Sequence, residues 1–154
     1  MTKLYSMLLV LALAFTSMSS FADGHGHHSL YKRMGGEPVV RAIVDDIWIN
    51  HGKNPIVKNR FINTNETYLK KLVFEIFAVA TGATDVEYTG KDLKASHVGM
   101  NISEMEFNAV VDDIMNAMES NKVSKPHQGE VLAILWATRP AIVNTNVTTD
   151  TLVK

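Results

Sequence analysis

The stretch Lys91-Asp-Leu-Lys-Ala-Ser-His97 follows Tyr88-Thr-Gly90 and carries the residue around which the predicted fold is organised. It predicts a short helical segment with a histidine at its end. A lone imidazole on a mixed surface is usually solvated or hydrogen-bonded, but neutral imidazole is also a common ligand for metals. On this stretch alone, His97 is therefore either a structural residue or a metal ligand.

Composition limits both the size of the fold and the classes of partner. The chain has 154 residues, 46% hydrophobic and 20% charged, which suits one domain with a real core. A net charge of -1 provides no overall attraction to nucleic acid or to an anionic membrane, so neither is expected as a partner. The absence of cysteine excludes thiolate metal sites and cofactor attachment through a Cys-x-x-Cys-His motif.

The first 22 residues have the pattern of a secretory signal peptide. Lys3 provides the positive start, and the apolar segment from Met7 to Phe15 is too short to span a bilayer. Ser20-Phe-Ala22 resembles a cleavage site, so we expect an exported, periplasmic protein without a stable membrane span. An uncleaved anchor or a buried helix is the alternative.

Residues 23–28 form a histidine-rich leader that we expect to be flexible. Cleavage after Ala22 would leave Asp23-Gly-His25 as the new amino terminus. A free amine, two backbone amides and a histidine at the third position can bind Cu(II) or Ni(II) in a square plane. The alternative is a polar leader with incidental histidines.

Hydrophobic residues recur at helical spacing in the remainder of the chain. A helix over residues 38–51 has its apolar positions at Val40, Ile43, Val44, Ile47 and Trp48. A second helix, which ends before Gly82, has them at Leu69, Leu72, Val73, Ile76, Phe77 and Ala80.

Capping signals mark two further helices. Ser103-Glu-Met-Glu106 is a capping-box pattern that begins the third helix. Ser124 and Pro126 begin the fourth, which bends or ends near Pro140. Residues 82–102 are poorly periodic, residues 144–154 form a polar tail, and no strand is predicted. The fold class is therefore all-α, in one domain over residues 29–143.

Short motifs along this domain occur in the order in which one protein family has them. They are Leu30-Tyr-Lys-Arg-Met-Gly-Gly36, Asn59-Arg-Phe61, Thr81-Gly-Ala83, Tyr88-Thr-Gly90, Leu93-Lys-Ala-Ser-His97 and Glu106-Phe-Asn-Ala-Val-Val-Asp112. On these motifs the domain resembles the group I truncated haemoglobins. The resemblance implies a two-on-two helical sandwich around a non-covalently bound haem b.

The resemblance also assigns roles to residues near the haem. It implies that His97 is the proximal ligand of the iron and that Phe61 stacks against the porphyrin. Leu93 lies one helical turn before His97, where it can pack beside the haem. A haem pocket needs such apolar neighbours because they exclude water from the iron.

On the distal side the chain departs from the family pattern. Members often have a tyrosine in the first helix that donates a hydrogen bond to bound dioxygen, and the matching position here is Trp48. Positions that often hold glutamine or histidine are Leu69 and Leu72, with Val73 beside them. The pocket should be unusually apolar, and Trp48 either donates through its indole N–H or only fills the space above the haem.

The function implied is reversible binding of a diatomic gas, which is dioxygen, nitric oxide or carbon monoxide. The alternatives are nitric oxide dioxygenase or peroxidase-type activity, which would need a separate electron-donor protein, and haem handling outside the cytoplasm. Lys70, Lys71 or His51 remains an alternative sixth ligand after helix movement. His51 and His127 lie near predicted helix ends, where surface imidazoles are expected.

Overall fold

The structure is a computed structural model that describes residues 28–143. The predicted signal peptide (1–22), the Asp23-Gly-His25 motif and the predicted tail (144–154) lie outside the described residues, and they stay predictions. Over residues 28–143, none of the helices combines the length and the apolar character needed to cross a bilayer.

Helices account for nearly all regular structure in the described part of the chain. They are α1 (Leu30–Met34), α2 (Gly36–Lys53), α3 (Glu66–Ala80), α4 (Leu93–His97), α5 (Glu104–Ser120) and α6 (Lys125–Ile142), with a 3-10 turn at Lys58–Arg60. Between residues 28 and 143 the β-structure is limited to one isolated bridge between Ile102 and Val143. The predicted all-α class is confirmed.

Helix boundaries follow the predicted signals with small differences. The capping box of α5 is present, because the Ser103 hydroxyl accepts a hydrogen bond from the backbone N–H of Glu106, whose carboxylate accepts from the N–H of Ser103. α6 ends two residues after Pro140. α2 extends beyond the predicted 38–51 at both ends, and α1 and the 3-10 turn were not predicted.

A sharp corner joins α1 to α2 at Gly35. This residue has φ of +116°, and a Cβ there would collide with the side chain of Val39. Only glycine adopts this conformation without strain. The corner allows α1 to pack on α2 and on α6.

The core lies between two helix pairs, as in a two-on-two sandwich. α2 packs against α3 and α5, and α5 packs against α6. Buried residues from these helices form one cluster, which includes Val40, Ile43, Val44, Ile47, Phe74, Phe77, Ala78, Ile114, Ala117, Met118 and Val131. α4 packs along α6 but buries none of its own residues, so it lies at the margin of the core.

Candidate functional site

His97 is the last residue of α4, and its ring is oriented by its own helix. Asp92 caps the helix by accepting a hydrogen bond from the backbone N–H of Ala95 at 2.9 Å. One turn before His97, the carbonyl oxygen of Leu93 lies 2.7 Å from His97 Nδ1. Since a carbonyl oxygen can only accept, Nδ1 carries the proton, and in the neutral imidazole Nε2 then keeps a free lone pair. The half-buried imidazole is therefore in the tautomer that can bind a metal through Nε2.

Trp48 on α2 and Phe61, which directly follows the 3-10 turn, form an aromatic pair. Their ring centroids are 6.1 Å apart and the rings meet edge to face at 75°. An open cavity of about 500 Å³ lies beside the pair, lined by Trp48, Gly52, Lys58, Asn59, Phe61 and Ile62. The structure brings Trp48 and Phe61 together, whereas the predicted site residues His97, Leu69, Leu72 and Val73 are not among those that line this cavity.

α3 contributes an apolar surface that the protein itself covers only in part. Leu69, Leu72 and Val73 are half-buried, although Phe74 and Phe77 of the same helix are fully within the core. Leucine and valine gain stability from complete burial, so this face suits a further apolar group. Leu93 at the start of α4 is also half-buried.

His51 is buried, so the expectation of a surface imidazole is wrong. Only 6% of the residue is exposed, and its Nδ1 lies 2.8 Å from Oδ2 of Asp113 on α5. Burial lowers the pKa of His51, although the Asp113 carboxylate acts in the opposite direction. The imidazole is therefore neutral at pH 7, and its Nδ1–H donates to Asp113.

The His51–Asp113 pair lies against one face of the Phe61 ring. The imidazole of His51 stacks on the Phe61 ring at a centroid distance of 4.7 Å and an interplanar angle of 14°. Asn54 adds a second donor to Asp113, since its Nδ2 lies 3.0 Å from both carboxylate oxygens. A signal in the sequence could have indicated burial, because position 51 continues the apolar stripe of α2 one turn after Ile47.

The two lysines considered as alternative ligands are engaged elsewhere. Lys70 pairs with Asp45 at 3.1 Å and with Glu66 at 2.6 Å. Lys71 pairs with Glu75 at 3.0 Å. In this conformation neither ammonium group is free to bind a metal.

Arg60 connects the Phe61 segment to the turn after α4. Its Nε donates to Glu106 at 2.7 Å, and its Nη1 donates to the backbone carbonyl of Met100 at 2.8 Å. The guanidinium of Arg60, together with hydrogen bonds from Ser103, lowers the pKa of Glu106 to about 2. The carboxylate therefore stays ionised well into the acidic range.

Glu75 connects α3 to the loop before α4. It is 7% exposed, and its Oε2 accepts hydrogen bonds from the backbone N–H and the hydroxyl of Thr89 at 3.0 and 2.8 Å. These hydrogen bonds, reinforced by Lys71, lower the pKa of Glu75. Sequence spacing gives no indication of the contacts that Arg60, Glu75 and Thr89 make, because the partners in these contacts are distant in the chain.

Comparison with known proteins identifies the family. A family model described as bacterial-like globin matches residues 29–144. The chain belongs to this family. As a globin it is a haem protein that binds gaseous ligands.

Individual relatives agree with this assignment. The group 1 truncated hemoglobin GlbN of Mycolicibacterium paratuberculosis is 27% identical over 114 residues, which cover 74% of this globin and 83% of the relative. The Fe(III) form of the truncated hemoglobin of Tetrahymena pyriformis superposes with a TM-score of 0.73 at 22% identity, covering 76% and 99% of the two chains.

A second solved structure has the same fold. The 2/2 hemoglobin of Synechococcus, in its cyanomet state with covalently attached heme, gives a TM-score of 0.71 at 23% identity. The match covers 76% of this globin and 99% of the Synechococcus chain. The predicted two-on-two fold is confirmed.

The residues present are compatible with haem. The free Nε2 of His97 is a suitable axial donor for iron, because Nδ1 is already bound to the carbonyl of Leu93. The incompletely covered face of Leu69, Leu72 and Val73 and the ring of Phe61 suit the apolar surface of a porphyrin.

Proposed function

We propose that this globin binds a diatomic gas reversibly at a haem iron held by Nε2 of His97. The observation that carries the proposal is the hydrogen bond of 2.7 Å between His97 Nδ1 and the carbonyl of Leu93. That bond fixes the tautomer and directs the lone pair away from the helix backbone. Haem, held by His97, would supply the iron atom that takes the gas.

The residues proposed to surround the gas are Trp48, Phe61, Leu69, Leu72 and Val73. Four of these five side chains have no hydrogen-bond donor, which leaves Trp48 as the one source of a hydrogen bond among them. Trp48 lines the open cavity, and its indole N–H is the one hydrogen-bond donor that its side chain offers there. We propose that this N–H donates to bound dioxygen, which carries partial negative charge.

Substitution of Trp48 by phenylalanine tests this donor. The change keeps an aromatic ring and removes the N–H, and a hydrogen bond to a charged acceptor stabilises by about 1.5 to 3 kcal/mol. We expect Trp48→Phe to release dioxygen about ten to 100 times faster in stopped-flow measurements on the ferrous protein. Trp136→Phe on α6 is the matched control and should leave the rate unchanged. An unchanged rate in Trp48→Phe would refute the donor role.

The enzyme alternatives also remain proposals. Oxidation of nitric oxide, or a peroxidase-type reaction, would take place at the same site and would require a separate electron-donor protein. Gas binding is the simpler proposal, because it needs only the residues already described around His97 and Trp48.

We propose further that the protein is exported to the periplasm. Support comes from Lys3, the apolar segment from Met7 to Phe15 and the small residues of Ser20-Phe-Ala22. Mass spectrometry of a periplasmic extract should therefore find a mature protein that begins at Asp23. Recovery of a chain that still begins at Met1, in the cytoplasm, would refute export and the metal-binding terminus together.

A further inference from the structure

The position of α4 depends on the segments on either side of it. The helix has five residues, and none of them is buried. Hydrogen bonds from the side chains of Ser96 and His97 end on backbone carbonyls of residues 91–93, within the same segment. Packing along α6 without a buried side chain contributes little to fixing the direction of the His97 ring.

After α4, the chain is held by Arg60. The guanidinium Nη1 donates to the carbonyl of Met100 at 2.8 Å, and the backbone N–H of Met100 donates to the carbonyl of His97 at 3.1 Å. Glu106 holds the guanidinium in place through Nε. Arg60 directly precedes Phe61, so a chain of hydrogen bonds connects the Phe61 segment to the backbone of His97.

Before α4, the chain is held by Glu75. Its buried carboxylate accepts two hydrogen bonds from Thr89. Lys71, on the preceding turn of α3, contacts both Glu75 and Thr89 and donates to the Thr89 hydroxyl at 2.7 Å. From Thr89 the chain reaches α4 through a tight turn at Gly90, where a Cβ would collide with the ring of Tyr88. The Tyr88 hydroxyl donates to the carbonyl of Lys91 at 2.7 Å.

We propose that Arg60 and Glu75 are positioning residues that hold α4 from both ends and so set the orientation of the His97 imidazole. The proposal rests on the proposed function, because the orientation matters when His97 holds the iron. Both anchors belong to the elements that carry Phe61 and Leu69. The segments that contribute residues around the gas therefore also position the histidine.

Two substitutions test the anchors: one removes the anchor after α4, and the other weakens the anchor before it. Arg60→Met keeps the aliphatic stem and removes the guanidinium. Thr89→Val removes the hydroxyl and so weakens the second anchor, while the backbone N–H of residue 89 and Lys71 remain as partners of the buried Glu75 carboxylate. Arg33→Met is the matched control, because Arg33 forms a comparable pair with Glu130 between α1 and α6, and its other side-chain hydrogen bond goes to the carbonyl of His28.

Hydrogen exchange on the haem-loaded proteins is the first readout. Arg60→Met should accelerate exchange about fivefold to tenfold in residues 93–103, and Thr89→Val should do so in residues 88–97. Exchange in residues 40–47 of α2 should not change. Haem transfer to an excess of a haem-free globin should accelerate by a similar factor in both variants, and Arg33→Met should resemble the wild type in both measurements.

Two results would overturn the proposal. One is unchanged exchange around α4 in both variants. The other is an acceleration spread evenly over α2 and α5, which would indicate only a loss of global stability. Failure of the proposed function is recognised separately, since wild-type ferrous protein would then lack an iron–imidazole vibration. In that case His97 would not hold the iron, and the two anchors would have no role in haem binding even if the exchange pattern showed that they hold α4.

Discussion

Replacing Asp113 by alanine is expected to lower the free energy of unfolding by about 3 kcal/mol. Asp113 is 6% exposed and accepts hydrogen bonds from His51 and Asn54. Its removal leaves the buried Nδ1–H of His51 without an acceptor, takes one acceptor from the half-buried Asn54 and creates a small cavity between α2 and α5. Urea unfolding of the haem-loaded protein, followed by circular dichroism, measures the change.

Asp112→Ala is the matched control for this experiment. Asp112 is the adjacent residue on α5 and is exposed, so its removal should change the free energy of unfolding by less than about 0.5 kcal/mol. Since His51 stacks on Phe61, Asp113→Ala should also speed haem loss. Equal stability of the two variants would show that the buried pair contributes nothing to the fold.

Much of the fold could be predicted because the long helices have regular apolar stripes. The spacing of Val40, Ile43 and Ile47 placed α2, and the Ser103 capping box placed the start of α5. α1 was missed because five residues are too short for a helical period to be recognised. The 3-10 turn at Lys58–Arg60 was missed for the same reason.

The site could be predicted only in part, and mainly through family resemblance. The family motifs indicate His97 and Phe61, Trp48 is assigned from the matching position in the first helix, and the contacts of all three with haem remain proposals. His51 was assigned to the surface because histidine at a helix end is usually solvated, whereas here Asp113 lies opposite it across the helix interface. The spacing of neighbouring residues cannot predict a contact between residues that are 62 positions apart.

The second large effect is expected at His97. Replacement by glycine removes the proposed axial ligand and should weaken haem binding at least about 100-fold, equivalent to about 3 kcal/mol. Added imidazole should restore much of the affinity, since a free imidazole can occupy the space left by the side chain. Competitive haem transfer monitored at the Soret band measures both.

His127→Gly provides the control for this substitution. His127 also lies in a helix, so the two variants carry a similar backbone cost of up to about 1 kcal/mol. Haem affinity in His127→Gly should match the wild type. Equal affinity of the His97→Gly and wild-type proteins would show that His97 does not hold the haem.

The most direct test is resonance Raman spectroscopy of the ferrous protein without a gas ligand. The account predicts an iron–imidazole stretching band in the wild type that is lost in His97→Gly. With isotope-labelled imidazole added, the band should return at a shifted frequency. A band that persists unchanged in His97→Gly without added imidazole would contradict ligation by His97, and with it the proposed function.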